Sequence, residues 1–228
     1  RRRARLSPPP ASANLHPRFA VMKPDRRRSS DAGRDGASPP ATGARVRFAP
    51  LLAGLAAAAL YARALANGFA LDDSVDLLGN RFVTGRLDLA GIFGSEYYGG
   101  WGYMATGHYR PLVNLAYKTV ASVFGLTPMP FHALNVVLFG LVVAWTVRLV
   151  SRLTGDGRTG WLAGLLFALH PVTSESVAAV VGLKDLAAVG LGALSVSFYV
   201  RGREAAGFSN AGTSSRWALL SSASLFAA

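Results

Sequence analysis

Asn67-Gly68-Phe69-Ala70-Leu71-Asp72-Asp73 opens a polar stretch that closes with His108-Tyr109-Arg110-Pro111-Leu112, and apolar runs flank it on both sides. Two adjacent carboxylates stand just beyond the first apolar run, and a histidine and an arginine stand at the far end. The flanking apolar residues gather in blocks of roughly 17–25, the length that crosses the hydrocarbon core of a bilayer. That distribution, more than the overall hydrophobic share of 51%, sets the fold class. The reading is an all-α integral membrane protein, a polytopic helical bundle whose stretch 67–130 is a large first loop on one side of the bilayer. Folded back over the surface, such a loop brings acid, base and cation together where a lipid-borne substrate presents its head group.

Before the loop, Val46 to about Ala66 is rich in Leu, Ala and Val, with Arg47 and Arg63 near its ends. Long basic side chains at such positions snorkel to the head groups, and ~21 residues at ~1.5 Å each reach ~31 Å, enough to cross. Glycines and aromatics crowd the middle of the loop, Tyr97-Tyr98-Gly99-Gly100-Trp101-Gly102-Tyr103, a composition that suits a substrate-covering loop and equally an ordinary aromatic belt. From Pro111 the pattern is helical: Leu112, Leu115, Ala116, Val120, Val123 and Phe124 share one face, and Asn114, Lys118 and Ser122 the other. This predicts an amphipathic helix lying in the interface, ended by Gly125, Pro128 and Pro130. Further spans are expected at about 131–147, 160–176 and 177–200, with a truncated one at 217–228. Pro171 is expected to break or kink the third. Arg1 at the start and a helix cut short at the end suggest a fragment, with Met22 an alternative start.

The net charge of +12 comes mostly from residues 1–47, whose 12 Arg and Lys oppose Asp25, Asp31 and Asp35. Pro, Ser, Ala and Gly dominate there, so residues 1–45 are expected to be a disordered basic tail. A basic tail ahead of a membrane helix is an orientation signal, with anionic-lipid binding or organelle transit as alternatives; a nucleic-acid partner is not indicated. No cysteine is present, which closes disulfide and thiolate-metal readings. The balance of Arg and Lys against Asp and Glu alternates: +9 for 1–47, −1 for 67–130, +2 for 148–160, −1 for 171–176 and +2 for 201–216. The positive-inside rule then makes the N-terminus cytoplasmic and gathers Asp72, Asp73, His108, Arg110 and Glu175 on the opposite side, with Lys184 and Asp185 close to it.

Ionisable residues inside membrane helices are costly and mark function by default. Lys184 and Asp185 are such a pair, although mutual neutralisation is the plainer reading. Glu175 reads equally as a solvated loop acid, and His170 as a hydrogen-bonded interface residue.

In order, Phe69-Ala70-Leu71-Asp72-Asp73, Asn80, Tyr109-Arg110-Pro111-Leu112, Phe131-His132-Ala133-Leu134-Asn135, Leu166 to Val177 through His170-Pro171, and Val181-Gly182-Leu183-Lys184-Asp185-Leu186 follow one another. Over about Phe69 to Tyr199 this resembles the membrane part of the transmembrane and tetratricopeptide-repeat protein O-mannosyltransferases. The resemblance implies a GT-C-class glycosyltransferase of the endoplasmic reticulum membrane that moves mannose from dolichyl-phosphate mannose to Ser or Thr of luminal proteins. It implies a catalytic role for Asp72 and Asp73, and substrate contacts for Arg110 and Glu175. His108, Lys184 and Asp185 are further substrate- and phosphate-binding candidates. The family commonly reads Gly-Arg-Ala/Lys-Asp where this chain has Gly182-Leu183-Lys184-Asp185, so Lys184 would have to supply the missing charge. The family's tetratricopeptide repeats are not in this sequence.

The chemistry suits those residue types. A Ser or Thr hydroxyl is a poor nucleophile, and a positioned carboxylate, Asp72 or Asp73, takes its proton. Phosphate leaves as a stable anion and needs only a cation, Arg110 or Lys184. A divalent metal between carboxylate and phosphate is compatible with such a site, but no ligand spacing calls for one. The alternatives are a non-catalytic membrane scaffold, favoured by Leu183, and a transporter with Lys184 and Asp185 as a relay.

Overall fold

The computed structural model describes residues 42–101, 107–207, 216 and 219–221. The basic tail through residue 41, loop residues 102–106 and most of the expected span at 217–228 lie outside the described residues. The described elements are helical: α1 (Thr42–Leu60), α2 (Arg81–Thr84), α3 (Leu89–Gly94), α4 (Pro111–Phe124), α5 (Pro128–Thr154), α6 (Gly157–Leu169), α7 (Val172–Ala178) and α8 (Leu183–Gly207). Short 3-10 turns lie at Ala62–Ala66, Tyr97–Trp101 and Val180–Gly182, and a π-helical turn at Ser74–Leu78.

The bundle is built on α5, against which α1, α6 and α8 all pack. Small residues let the axes close up, as in helix pairs that lack a hydrophobic driving force. A Cβ on Gly54 would stand 2.4 Å from the Gly140 carbonyl oxygen, and one on Gly140 would stand 2.8 Å from that of Gly54. Gly160 and Gly164 do the same for α6, against Val147 and Ser151 of α5. Around these crossings Phe139, Val143 and Val147 are buried with Ala53, Ala57 and Ala168. Gly155 (φ 71°) makes the turn into α6. Asp156 caps that helix, accepting from the N–H groups of Arg158 (3.1 Å) and Thr159 (2.9 Å).

Among the described residues two helical stretches are long and apolar enough to cross a membrane, Pro128–Thr154 and Val180–Glu204. Only 39% and 33% of their most apolar windows are buried. Large apolar side chains also face outward on α1 (Leu51, Leu52, Leu55) and α6 (Leu162, Leu165, Leu166). The core helix of a water-soluble protein would be covered; these are not, as befits a membrane protein.

Three expected boundaries are corrected. The first span, expected over 46–66, stops being α-helical at Leu60 and tightens into the 3-10 turn. The third, expected over 160–176, is two helices: α6 has 13 residues, about 20 Å, and ends because a proline disfavours helical geometry in the residue before it. The fourth, expected from 177, enters its α-helix at Leu183. Pro128 opens α5 as its first residue, where its missing N–H costs nothing; Gly125 alone closes α4.

α4 is amphipathic as expected, with Pro111 at its first position. Its polar side turns toward the protein: Asn114 and Lys118 are buried. Lys118 donates to the carbonyls of Val83 (3.2 Å) and Gly85 at the end of α2. Val123 and Phe124 are exposed. The loop's short helices thus sit on the polar side of α4.

Candidate functional site

Two backbone junctions and one helix end make the site. The start of the loop and the α7–α8 junction both lean on the first turns of α5. Nε2 of His132, fully buried, lies 3.4 Å from the Gly68 carbonyl oxygen. One turn on, the Asn135 amide donates to the carbonyls of Ala179 (2.7 Å) and Val180 (3.3 Å). From α4, the Tyr117 hydroxyl donates to Val180 at 2.9 Å. Gly182 permits the tight junction: a Cβ there would meet the Ser176 carbonyl oxygen at 2.1 Å.

Asp73 ties the junctions to each other. Its Oδ1 accepts the Val181 N–H at 2.9 Å and its Oδ2 the Ala70 N–H at 3.3 Å. The residue is only 1% exposed. Its neighbour differs: Asp72 is exposed and lines a cavity of about 540 Å³ together with Asp73, Glu175, Asn67 and Val181. Leu71, which precedes it, has φ 45° and is 90% exposed. Non-glycine residues seldom adopt that left-handed conformation, and such strain persists where the surroundings enforce it. The backbone therefore turns abruptly at the cavity lip, leaving Asp72 and Asp73 with opposite exposures.

The far end of the loop is held through Tyr97. Its N–H donates to the His108 carbonyl at 2.7 Å, and its own carbonyl accepts from the Asn114 amide at 3.3 Å. Asn114 in turn accepts from Asn80 at 3.0 Å, and Asn80 caps α2 through the Phe82 N–H. The Arg110 guanidinium lies 5.7 Å from the centre of the Tyr97 ring. The exposed His108 sets its ring edge-on to Tyr98 at 6.2 Å.

Of the residues singled out in the sequence, the structure places Asp72, Asp73 and Glu175 on one cavity. Arg110 and Lys184 lie outside its lining, yet the charges of both act on one buried carboxylate, Asp76. Lys184 is half-buried and Asp185 exposed. Among the described residues no carboxylate pairs with Lys184 within 4.0 Å; Asp185 instead accepts from Ser176 Oγ at 3.4 Å. The mutual ion pair is not formed. His170 caps the start of α7, its Nδ1 accepting the Val172 N–H at 3.2 Å. Among the described residues no group of three or more His, Asp or Glu side chains converges to hold a metal ion.

Asp76 is the residue that sequence reading missed. It belongs to the π-helical turn, is 4% exposed, and accepts from the Tyr97 hydroxyl at 3.3 Å. Burial pushes its carboxyl above the ordinary range. Lys184, the Tyr97 hydroxyl and Arg110 pull it back, and Asp72 adds to the rise. The Tyr97 phenol is pushed up in turn, by burial first and the Asp76 charge second. The available signal was its spacing of one helical turn from Asp72, a spacing meaningful only once this part of the loop is known to be helical.

A second hollow runs alongside. Leu112, Ala116, Leu138, Trp145, Leu183 and Ala187, among others, line an almost wholly apolar groove of about 330 Å³ between α4, α5 and α8. Its lining includes the residue beside Lys184 and one two positions after Arg110.

With this geometry in hand, known proteins can be set beside the chain. It is 32% identical to mouse "Protein O-mannosyl-transferase TMTC2" over 71% of its own length and 20% of that protein's. It is 40% identical to fruit-fly "Protein O-mannosyl-transferase Tmtc1" over 60% of its length and 16% of the relative's. For human "Protein O-mannosyl-transferase TMTC4" the figures are 30%, 76% and 26%. The chain belongs to the TMTC family. It spans about a fifth of the length of the first of these relatives. No family model matches it, and no solved structure does. Within the TMTC pattern, the position expected to hold an arginine is Leu183, 2% exposed in an apolar cluster with Leu77, Tyr97 and Tyr117.

Proposed function

We propose that this chain is the active-site end of a GT-C-class membrane glycosyltransferase of the endoplasmic reticulum. In this reading it moves mannose from dolichyl-phosphate mannose to Ser or Thr hydroxyls of luminal proteins, with its N-terminus cytoplasmic and the loop 67–130 luminal. One observation carries the reading: the α7–α8 junction separates a carboxylate-lined cavity from an apolar groove. Val181 lines the first and Leu183 the second. An amphiphilic donor needs that pairing. Its polyprenyl tail lies along α4, α5 and α8, its phosphate meets Lys184 and Arg110, and its sugar faces Asp72.

The two acids then divide their labour. Asp72, exposed on the cavity, accepts the proton of the incoming hydroxyl as that oxygen bonds to the anomeric carbon. The bond from the anomeric carbon to the phosphate oxygen breaks, and the electron pair leaves with the phosphate, stabilised by the two cations. Asp73, spent on two backbone N–H groups, positions the loop. Glu175, on the same cavity, and His108, at the far end of the loop, contact sugar or acceptor. A divalent ion, if bound, would add a Lewis acid at the phosphate; no step is assigned to it.

The test is mannosyl transfer from dolichyl-phosphate mannose to a Ser/Thr acceptor by the full-length protein in membranes. Asp72→Asn is expected to lose about a hundredfold or more in rate, the usual range for a general base. Ala187→Trp, which fills the groove, is expected to raise the donor KM. Wild-type rates for both Asp72→Asn and Asp73→Asn would remove these carboxylates from the mechanism. The buried Leu183 favours a second reading, a non-catalytic scaffold; a wild-type protein that binds donor but releases no mannose would decide for it.

A further inference from the structure

Asp76 has no evident reason to be a carboxylate. Its side chain is almost fully covered, and the one hydrogen bond it receives among the described residues, from the Tyr97 hydroxyl at 3.3 Å, is long. A buried charge so thinly bonded is costly and must be offset by opposite charge nearby. Two cations supply it, each through a different element. Arg110, the residue before α4, rests over the face of the Tyr97 ring whose hydroxyl is donated to Asp76. That donation makes the ring face more negative and the cation–π contact stronger. Lys184 opens α8, and the neighbours of the two residues, Leu77 and Leu183, are buried in the same cluster as Tyr97. Yet no ion pair within 4.0 Å joins Asp76 to either cation. The carboxylate balances them without occupying their donors.

We infer that Asp76 is the resting counter-ion of the phosphate-binding cations: a buried carboxylate, linked to Arg110 through the Tyr97 ring and to Lys184 through the cluster their neighbours share, that competes electrostatically with the incoming phosphate. Asp76 touches no substrate and is a positioning residue. Its effect is to keep the monophosphate released with each turnover from binding too tightly, since a site with two uncompensated cations would retain that product. The inference rests on the donor reading given above and adds to it a determinant of product release.

The experiment measures binding of a short-chain prenyl monophosphate and of the matching uncharged prenyl alcohol to the purified full-length protein in detergent micelles. Asp76→Asn, nearly isosteric and still able to accept from Tyr97, is expected to bind the monophosphate about five- to tenfold more tightly, the scale of one charge removed at intermediate dielectric. Binding of the alcohol should be unchanged, and Asp76→Glu should restore wild-type affinity. Tyr97→Phe keeps the ring beneath Arg110 and folds independently of the charge change. It should shift affinity in the same direction by less, because a carboxyl without its donor is less often ionised. A structural role alone would move both ligands together or neither. Wild-type or weaker monophosphate binding by Asp76→Asn, with the alcohol unchanged, overturns the inference. A wild-type protein that binds monophosphate no better than alcohol overturns the donor reading instead.

Discussion

Asp72 and Asp73 are adjacent in sequence and opposite in circumstance, and the contrast can be measured. Asp73→Asn keeps one acceptor oxygen and turns an NH2 group against an N–H donor at the other position. The Val181 contact, 2.9 Å and made to a carboxylate, is of the kind that contributes about 1.5–3 kcal/mol. The longer Ala70 contact, 3.3 Å, contributes about 0.5–1 kcal/mol. Losing the better part of this pair costs about 2–3 kcal/mol, or about 4–12 °C in Tm for a chain of this size. The Asp72 side chain makes no hydrogen bond to the described residues, so Asp72→Asn is expected to stay within about 0.5 kcal/mol of wild type. Thermal unfolding in one detergent, read with amide hydrogen exchange at Val181, checks both. The Val181 amide should exchange faster in Asp73→Asn and not in Asp72→Asn. Equal Tm shifts in the two variants, or undiminished protection of Val181 in Asp73→Asn, would refute the division of roles.

The other expectations concern packing and pH. Gly140→Leu forces a side chain against the Gly54 carbonyl oxygen, which would stand only 2.8 Å from the new Cβ; it should destabilise by about 1–3 kcal/mol. Gly192→Ala, with nothing within 4 Å of its Cβ, should be neutral or stabilising by up to about 1 kcal/mol, and equal losses in the two would argue against the α1–α5 contact. Asp76 has a raised folded-state pKa, so between the ordinary Asp value and that raised value the native state binds more protons than the unfolded one. Stability contributed there is present below the ordinary value and lost as pH rises through the raised one. Lys184, Arg110, Asp72, Tyr97, Tyr98 and Tyr117 are the titratable and charged groups coupled to it. The wild type minus Asp76→Asn difference in unfolding free energy should therefore fall as pH rises from about 4; a flat difference would show that Asp76 does not titrate in the fold.

What is legible in the sequence is what has a period or a fixed chemistry. The 3.6-residue pattern after Pro111 marks α4, and the apolar run at about 131–147 marks the middle of α5, which extends beyond it at both ends, over Pro128–Thr154. Charges alternating between segments suggest that Asp72, Arg110, Glu175 and Lys184 share one end of the molecule; Asp72 and Glu175 line one cavity, while Arg110 and Lys184 lie outside its lining. Helix ends are misread where local backbone geometry decides, as at the 3-10 turn after Leu60, which leaves no mark on hydropathy; the break at His170-Pro171, by contrast, is announced by its proline. The facing of α4 is misread for a related reason. Asn114 and Lys118 look like a solvated face, but the loop supplies a polar surface for them to bond, and a loop fold has no one-dimensional signature. Asp76 is hard to see on the same ground, since its partners are distant in sequence: Tyr97 lies 21 residues on and Lys184 further still.

The position of the cavity follows from α5 more than from the loop that supplies its acids. His132 and Asn135 stand one turn apart and fully buried, and each holds one wall: Gly68 on the loop, Ala179 and Val180 on the junction. Asp73 then bridges wall to wall. A displacement of either wall must break a buried bond to the same rigid helix, so the walls move together or not at all. A loop of this length would otherwise be the most pliant part of the chain, unable to hold a base within the half-ångström tolerance that proton transfer asks of its site. Attaching both walls to one helix face, and then to each other, gives a polar segment the geometric stiffness of the bundle. Asp72 gains from this what its own exposed position could not provide: a fixed place relative to Glu175 and the α7–α8 junction, with its carboxylate still open to the cavity.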